Sequence, residues 1–338
     1  MRRTKKISSL SFAVFIIAVL GTVPLVLGFF GEVHPALDTF SHIRAHLSVA
    51  LFLFSLLLLL TGLRREAMLL CLFCALSFAT TIEAVRTQIS GLELPESAKV
   101  EGATYSLVQI NLLFAHPEPQ RVLQMIGQQN PDVITYQEAS SAWEPWLKVL
   151  EGRYPYHLLC KDYPGSWGVG ILSRRPFVEG AERLCVDDGV LAAVQIDFGG
   201  QVATIASLHL SWPWPMQQPA QLNEIEPHLR AMKHPLIIAG DYNASPWSHA
   251  LVRMTKASDT YDVGGLGATW MLKQLPMSWV KWLGVQIDHL LVSSNVTVDQ
   301  AKTLDEVGSD HLPLLLKFTL PVTSVEPEED DTTQVVQH

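Results

Sequence analysis

Basic residues are scarce where a nucleic-acid binder would need them. The 338-residue chain carries 24 Lys and Arg against 33 Asp and Glu, a net charge of −9. Over residues 100–320 there are 15 against 22, with no basic stripe. Tight duplex binding depends on a cationic surface, so a dedicated DNA-repair role is disfavoured. Cysteine is scarce too: Cys71 and Cys74 lie in an apolar run, which leaves Cys160 and Cys185 for the rest of the chain. That pair either forms one disulfide, as in an oxidising compartment, or sits as two separate buried thiols. No HExxH-type pair occurs, which speaks against a zinc site built on His209, His289 and His311. No repeat of 20–50 residues is visible. The apolar runs of the first 85 residues hold almost no interior charge beyond Glu83, so they offer little to a transport or sensing pathway.

Long apolar runs are abundant in that N-terminal part. Residues 7–30, 46–63 and 67–85 read as three transmembrane helices, the first long enough by itself to cross a ~30 Å hydrocarbon core. A cleaved signal peptide is the competing reading of the first, but its apolar run is long for one and no small-x-small site follows it. Arg2, Arg3, Lys5 and Lys6 precede the first run, and Arg64 and Arg65 lie between the second and third, so both clusters are expected in the cytoplasm. The intervening loop has Arg44 among Glu32, Asp38 and several His, as expected on the outer side. Three spans place the remainder outside the cytoplasm. If 67–85 only lies on the membrane, the remainder is cytoplasmic.

Residues 86–102 are a polar linker expected to let the next domain stand off the bilayer. From 103 to 320, apolar strand candidates (YSLVQINLL, DVITYQE, WGVGILS, LAAVQIDF, VATIASLHL, PLIIAGDYN, QIDHLLVS, LPLLLKFTL) alternate with helical patterns at 119–129, 142–150 and 217–232. This is an α/β domain. The acidic tail, 321–338, lacks a core-forming pattern and is expected to be disordered.

Polar residues sit at the ends of those apolar strands: Asn111, Glu138, His209, Asp241 with Asn243, Asp288 with His289, and Asp310 with His311. Each alone is explained by a turn or a cap. Together they match the way α/β folds collect catalytic groups at strand ends. His289 is read as a strand residue. Carboxylates and amides without thiolates suit a hard, oxygen-preferring cation, Mg2+ or Mn2+.

The strings QIN (109–111), YQE (136–138), SLHL (207–210), GDYN (240–243), IDHL (287–290) and GSDHLPL (308–314) resemble, in order and spacing, the endonuclease/exonuclease/phosphatase superfamily with the DNase I-like fold. The resemblance covers residues 103–320, and GDxN with a later SDHxP is its most specific part. It implies a four-layer α/β/β/α sandwich, preceded here by the transmembrane region, and a metal-dependent phosphoric ester hydrolase. Carried over position by position, Glu138, Asn111 and Asp310 are implied near the metal, with Asp241 activating water. Asn243 is implied to hold that water or a phosphate oxygen, His209 to face the phosphate, and His311, oriented by Asp288, to stabilise the transition state. The implied setting is a bacterial inner membrane with the domain facing the periplasm.

Superfamily membership does not name a substrate. Nucleic acid and phospholipid headgroups both remain open, and no obligate protein partner is evident. SWPWP (211–215) and TWMLKQLPMSWVKWLG (269–284) place Trp212, Trp214 and Trp270 beside the expected site. Trp with Lys suits a bilayer interface; covering a sheet edge, or stacking on a sugar or base, is the alternative. A non-catalytic, membrane-tethered interaction module is the alternative to an enzyme.

Overall fold

The computed structural model describes residues 8–82, 102–161, 167–186 and 189–321. The linker and acidic tail fall almost wholly outside them, as do the basic residues before position 7. Three long helices open the chain: α1 (Ser9–Leu27), α3 (Arg44–Leu58) and α4 (Arg64–Ala79), with the short α2 (Pro35–Asp38) in the loop after α1. With its following turn to Phe30, α1 is long and apolar enough to cross a membrane, a property that signal sequences share. α3 and α4, at 15 and 16 residues, are each shorter than the roughly 20 residues of a full span. α3 ends five residues before the expected limit because the chain turns at Thr61, whose hydroxyl accepts the Leu63 N–H. The three helices pack together through Ala18, Leu58 and Ala67 at one end and Leu25, Leu51 and Cys74 at the other. Large side chains such as Ile17, Leu20, Leu53, Leu57, Leu69 and Leu72 point outward and stay exposed.

The remainder forms two six-stranded mixed sheets packed face to face. Sheet one holds β1 (Thr104–Asn111), β2 (Val133–Gln137), β3 (Tyr156–Cys160), β4 (Val169–Ser173), β11 (Thr297–Thr303) and β12 (Leu314–Thr319), in the order β11-β12-β1-β2-β4-β3. Sheet two holds β5 (Leu184–Val186), β6 (Leu191–Asp197), β7 (Val202–His209), β8 (Leu236–Asp241), β9 (Tyr261–Asp262) and β10 (Asp288–Val292), in the order β5-β6-β7-β8-β10-β9. Strands buried on both faces read as nearly continuous apolar runs, which is why β2, β8 and β10 lack alternation. Between the sheets lie Leu107, Val133, Ile205, Ile237, Leu290 and Leu316. α5 (Pro119–Gln129) and α6 (Glu144–Leu150) cover the outer face of sheet one, and α7 (Gln218–Ala231) and α8 (His249–Ser258) that of sheet two. The α/β/β/α sandwich is therefore present.

Chain direction brings the polar strand ends to one rim. β1 runs parallel to β2, and β7 to β8, so the C-terminal ends of each pair meet. β10 and β12 run antiparallel to β8 and β1, so their N-terminal starts arrive at the same edge.

The domain does not stand off the helices. Asp38 accepts the N–H groups of His249 and Ala250 at 2.8 and 2.9 Å, and so satisfies the first turn of α8 beside its own cap, Ser248. The Trp247 indole donates to the Ser41 carbonyl at 2.6 Å, and His42 Nδ1 lies 3.1 Å from the Ser245 hydroxyl. Burial pushes the His42 imidazole down to about 4, against the opposing pull of Asp38, so Nδ1 is free to accept the Ser245 N–H.

Cys160 on β3 and Cys185 on β5 form a disulfide that joins an edge of sheet one to an edge of sheet two. Its sequence separation of 25 residues predicts that replacing both cysteines by serine lowers stability by about 3 kcal/mol. Thermal or denaturant unfolding of the purified protein checks this; a change within error would show that the bridge contributes nothing across the sandwich.

Candidate active site

The rim brings the strand-end residues into one cluster. β-Register sets Asp241 opposite both His209 and Asp288, and Asn111 opposite Gln137, the residue before Glu138. Close approach of β7 and β8 requires glycine beside the acid: a Cβ on Gly240 would lie 2.0 Å from the Leu208 carbonyl oxygen. Glu138, Asn243 and Leu113 all have left-handed backbone, with φ of 58°, 45° and 57°. Such conformations cost energy in non-glycine residues and concentrate where a structure must aim particular groups.

Side-chain bonds hold these groups in place. The Asn111 amide donates to Glu138 Oε1 at 3.0 Å and to Asp241 Oδ2 at 3.1 Å, while its own oxygen accepts the Leu113 N–H. Glu138 Oε2 accepts the Phe114 N–H at 2.9 Å. Asp241 Oδ1 accepts the Asn243 N–H at 2.9 Å. His209 Nε2 and His311 Nε2 each lie 3.6 Å from Asp241 Oδ2, and His209 Nε2 lies 4.0 Å from Glu138 Oε1. Ser309 anchors the loop before β12, donating to the Asn111 carbonyl and accepting the His311 N–H.

Asp288 is fully buried at the start of β10. Its carboxylate receives Gln109 Nε2 at 2.9 Å and His311 Nδ1 at 2.8 Å. Burial alone would raise its pKa; the His311 charge and hydrogen bond, aided by the Thr269 hydroxyl and the Gln109 amide, lower it instead. Burial alone would lower the His311 pKa, but the carboxylates of Asp288 and Asp241 override it and push the imidazole up to about 10. Asp241 is pushed up to about 6, chiefly by burial and partly by Asp288, against the pull of His311 and His209. The rim therefore pairs an imidazolium with a carboxylate poised near neutrality, the environment expected of an acid/base pair.

The donor set fits a hard cation. Asp241, Asp288 and His311 offer ligand atoms within 4.8 Å of one another. However, His311 Nδ1 and Asp288 already satisfy each other, so a cation there would displace an ion pair. Glu138 is the better holder. Its carboxylate is partly exposed and is held by N–H donors rather than by a buried ion pair, and no thiolate is near it among the described residues. Asp310 is half-buried and makes no side-chain hydrogen bond among the described residues, acting on His311 and His116 through its charge. Asn243 Oδ1 is buried with no partner among the described residues, while its Nδ2 donates to the Leu210 carbonyl. A buried acceptor left open costs about 1–3 kcal/mol unless something donates to it, so this atom points to a bound donor.

Two expected border residues stand beside the site. Trp212 and Trp270 meet edge to face at 5.2 Å, and Trp270 pairs by its backbone with His311. Trp214 instead turns to the helical region, its carbonyl accepting the Thr39 hydroxyl and its ring meeting His34. His289 is indeed a strand residue: fully buried, it bridges Asp262 at 3.1 Å and the Ala244 carbonyl at 2.8 Å. Beneath the rim, Gln109, Gln137 and Ser207 form a buried chain of hydrogen bonds between the sheets that the motif reading passed over. Its signal was available: Gln109 and Asn111 share one face of β1, a face otherwise apolar.

A model of the Endonuclease/Exonuclease/phosphatase family matches residues 108–311. A UPF0294 protein of Vibrio vulnificus (strain YJ016) is 28% identical over 124 residues, which is 36% of this chain and 41% of that protein. The chain thus spans about two fifths of the length of the curated relatives it matches. Among solved structures, an endonuclease/exonuclease/phosphatase from Beutenbergia cavernae DSM 12333 aligns with a TM-score of 0.51 and 18% identity, covering 64% of this chain and 72% of that one. ANGEL2, a 2',3'-cyclic phosphatase in complex with adenosine-2',3'-vanadate, aligns with a TM-score of 0.52 and 14% identity, covering 65% and 97%. At these identities the structural likenesses show the fold.

The ion pair yields a pH prediction. Because the folded His311 pKa lies above the ordinary 6.5, its stabilisation is full below about pH 6.5 and is lost as pH rises through about 10. In an imidazole NMR titration, the His311 resonance should stay that of the cation to about pH 10 and move down toward its ordinary value in Asp288→Asn. An unchanged midpoint in that variant would show that Asp288 does not hold the proton.

Proposed function

The chain belongs to the endonuclease/exonuclease/phosphatase family, and on that premise we propose that it is a membrane-anchored, divalent-metal-dependent phosphoesterase that hydrolyses its substrate by direct water attack. The observation that carries the reading is the buried Asp288–His311 pair, 2.8 Å apart, facing Asp241 across 3.6 Å. Such a pair has no packing purpose that apolar side chains would not serve as well.

In this reading the water oxygen forms a bond to phosphorus as the ester P–O bond opposite it breaks. Asp241 accepts the water's proton, for which a carboxyl pushed up to about 6 is well matched at neutral pH. The open Asn243 Oδ1 accepts the water's other hydrogen, which narrows its role to orienting water rather than a phosphate oxygen. The His311 imidazolium, held by Asp288, faces the charge that builds on the non-bridging oxygens, and His209, 3.6 Å from the same Asp241 oxygen, meets the same phosphate. Glu138, oriented by the Asn111 amide and aided by the Asp310 carboxylate, would hold Mg2+ or Mn2+, and the ion would supply charge neutralisation at the phosphate and the departing oxygen.

Anchoring and orientation belong to the same proposal. α1 is the membrane-crossing segment. The catalytic domain is seated on the loop around Asp38 and His42, at the end of the helical bundle opposite the turn that carries Arg64 and Arg65. With Arg2, Arg3, Lys5 and Lys6 ahead of α1 on the cytoplasmic side, the domain lies on the outer one. The Cys160–Cys185 bridge suits that compartment.

Hydrolysis of bis(p-nitrophenyl) phosphate by the full-length protein should require Mg2+ or Mn2+ and cease with chelator. Glu138→Gln and His311→Ala should each lower it by roughly 100-fold or more with the fold retained by circular dichroism. Wild-type inactivity toward every mono- and diester tried, with either metal, would favour a non-catalytic module instead.

A further inference from the structure

Where the helical bundle meets the catalytic domain there is a cavity of about 580 Å3, within the range of roughly 300–1,000 Å3 common for small-molecule sites. Val49 and Leu53 of α3 and Phe78 of α4 form its helical wall; Trp247, Trp282 and Leu283 form the domain wall. The lining is mostly apolar, with His42, His46, Ser245, Lys281 and Gln286 as its polar members. Val49 and Leu53 are exposed, and Leu56, Leu57 and Leu60 continue the same stripe at helical spacing along α3 into the turn after it. Trp279 and Trp282, 50% and 65% exposed, flank Lys281, whose ammonium lies over the Trp282 ring. Trp and Lys together are the side chains that settle at a bilayer surface.

The cavity shares two walls with the rim. Ser245 lines it two residues after Asn243, and Gln286 lines it two residues before Asp288. Two residues of chain reach at most about 7 Å. We infer that this cavity seats an acyl chain of a membrane lipid, so that a phosphate-ester headgroup is presented at the catalytic rim. This rests on the phosphoesterase reading above and names its substrate class. The chain's own alternative occupant, segment 83–101, carries Glu83, Arg86, Glu93, Glu96, Lys99 and Glu101. Its charges would be stripped of water against apolar walls, which a hydrocarbon chain avoids.

Photo-crosslinking tests the assignment on the full-length protein in nanodiscs of phosphatidylethanolamine and phosphatidylglycerol, doped with a phosphatidylglycerol that carries an acyl-terminal diazirine. Label should concentrate on peptides containing residues 45–53 and 281–286, above the level on the outward face at Leu69 and Leu72. Ala50→Trp and, as an independent variant, Leu53→Trp should deplete it there, because both fill the cavity. Label spread evenly over the outward faces, or label unaffected by both variants, would each overturn the acyl site. With wild-type protein and water-soluble, short-chain phosphate-headed lipids kept monomeric, kcat/KM should fall roughly fourfold for each methylene removed. Hydrolysis indifferent to chain length would overturn the substrate assignment. Glu138→Gln should keep the label, so cavity label without hydrolysis of any phosphoester would overturn the catalytic reading and leave the acyl site standing.

Discussion

The Asp288 carboxylate is the point on which the rim depends. It is buried between the two sheets, and an isolated charge there would be costly. Three elements meet to satisfy it: Gln109 from β1 across the sandwich, Thr269 from the loop before β10, and His311 from the loop before β12. Each bond brings a different part of the chain to the same place. The Gln109 contact ties sheet one to sheet two at the rim, and Gln137 and Ser207 extend that tie. The His311 contact fixes which imidazole nitrogen faces Asp288, and thereby leaves Nε2 facing Asp241. Removing the carboxylate would loosen the sheets and the imidazole together, so the fold and the chemistry share one constraint.

Much of this was legible in the sequence, because buried strands advertise themselves as apolar runs and leave their polar ends conspicuous. Asn111, Glu138, His209, Asp241, Asn243, Asp288 and His311 all meet at one rim for that reason. Their grouping was not visible in spacing alone; it follows from which strands run parallel, and strand order is a long-range property. Gln109 and Gln137 illustrate the limit. A lone amide within an apolar strand looks the same whether it faces solvent at an edge or crosses between sheets. Trp214 illustrates another: its neighbours in SWPWP suggested the site, yet tertiary contacts with Thr39 and His34 draw it to the helices.

The junction between helices and domain was least legible. Asp38 looked like an ordinary acidic loop residue, and nothing near it in the chain marks it as the partner of backbone N–H groups more than 200 positions later. The partner segment gives no hint either, since Ser248 is already a good helix cap for α8. Yet that carboxylate, at the positive end of a helix and with two N–H donors, makes the contact more than a passing touch. A polar stretch between the last apolar helix and the first strand suggested a tether of variable reach; contacts elsewhere in the chain fix the geometry instead.

A fixed junction changes what the membrane part can contribute. A domain on a loose tether samples many heights and orientations above a bilayer, and a tether then raises local concentration without aiming the site. A domain held through Asp38, His42 and Trp247 keeps one orientation relative to the helices. His42's partner, Ser245, follows Asn243 by two residues, so the helices are connected through a few residues to a group at the rim. On the function proposed above, the anchor orients the candidate site toward a particular depth of the membrane surface, and substrates that approach along that surface meet the rim already aligned. Pre-organisation of this kind lowers the entropic cost of each encounter in the plane of the membrane, which is the advantage a docked domain holds over a tethered one.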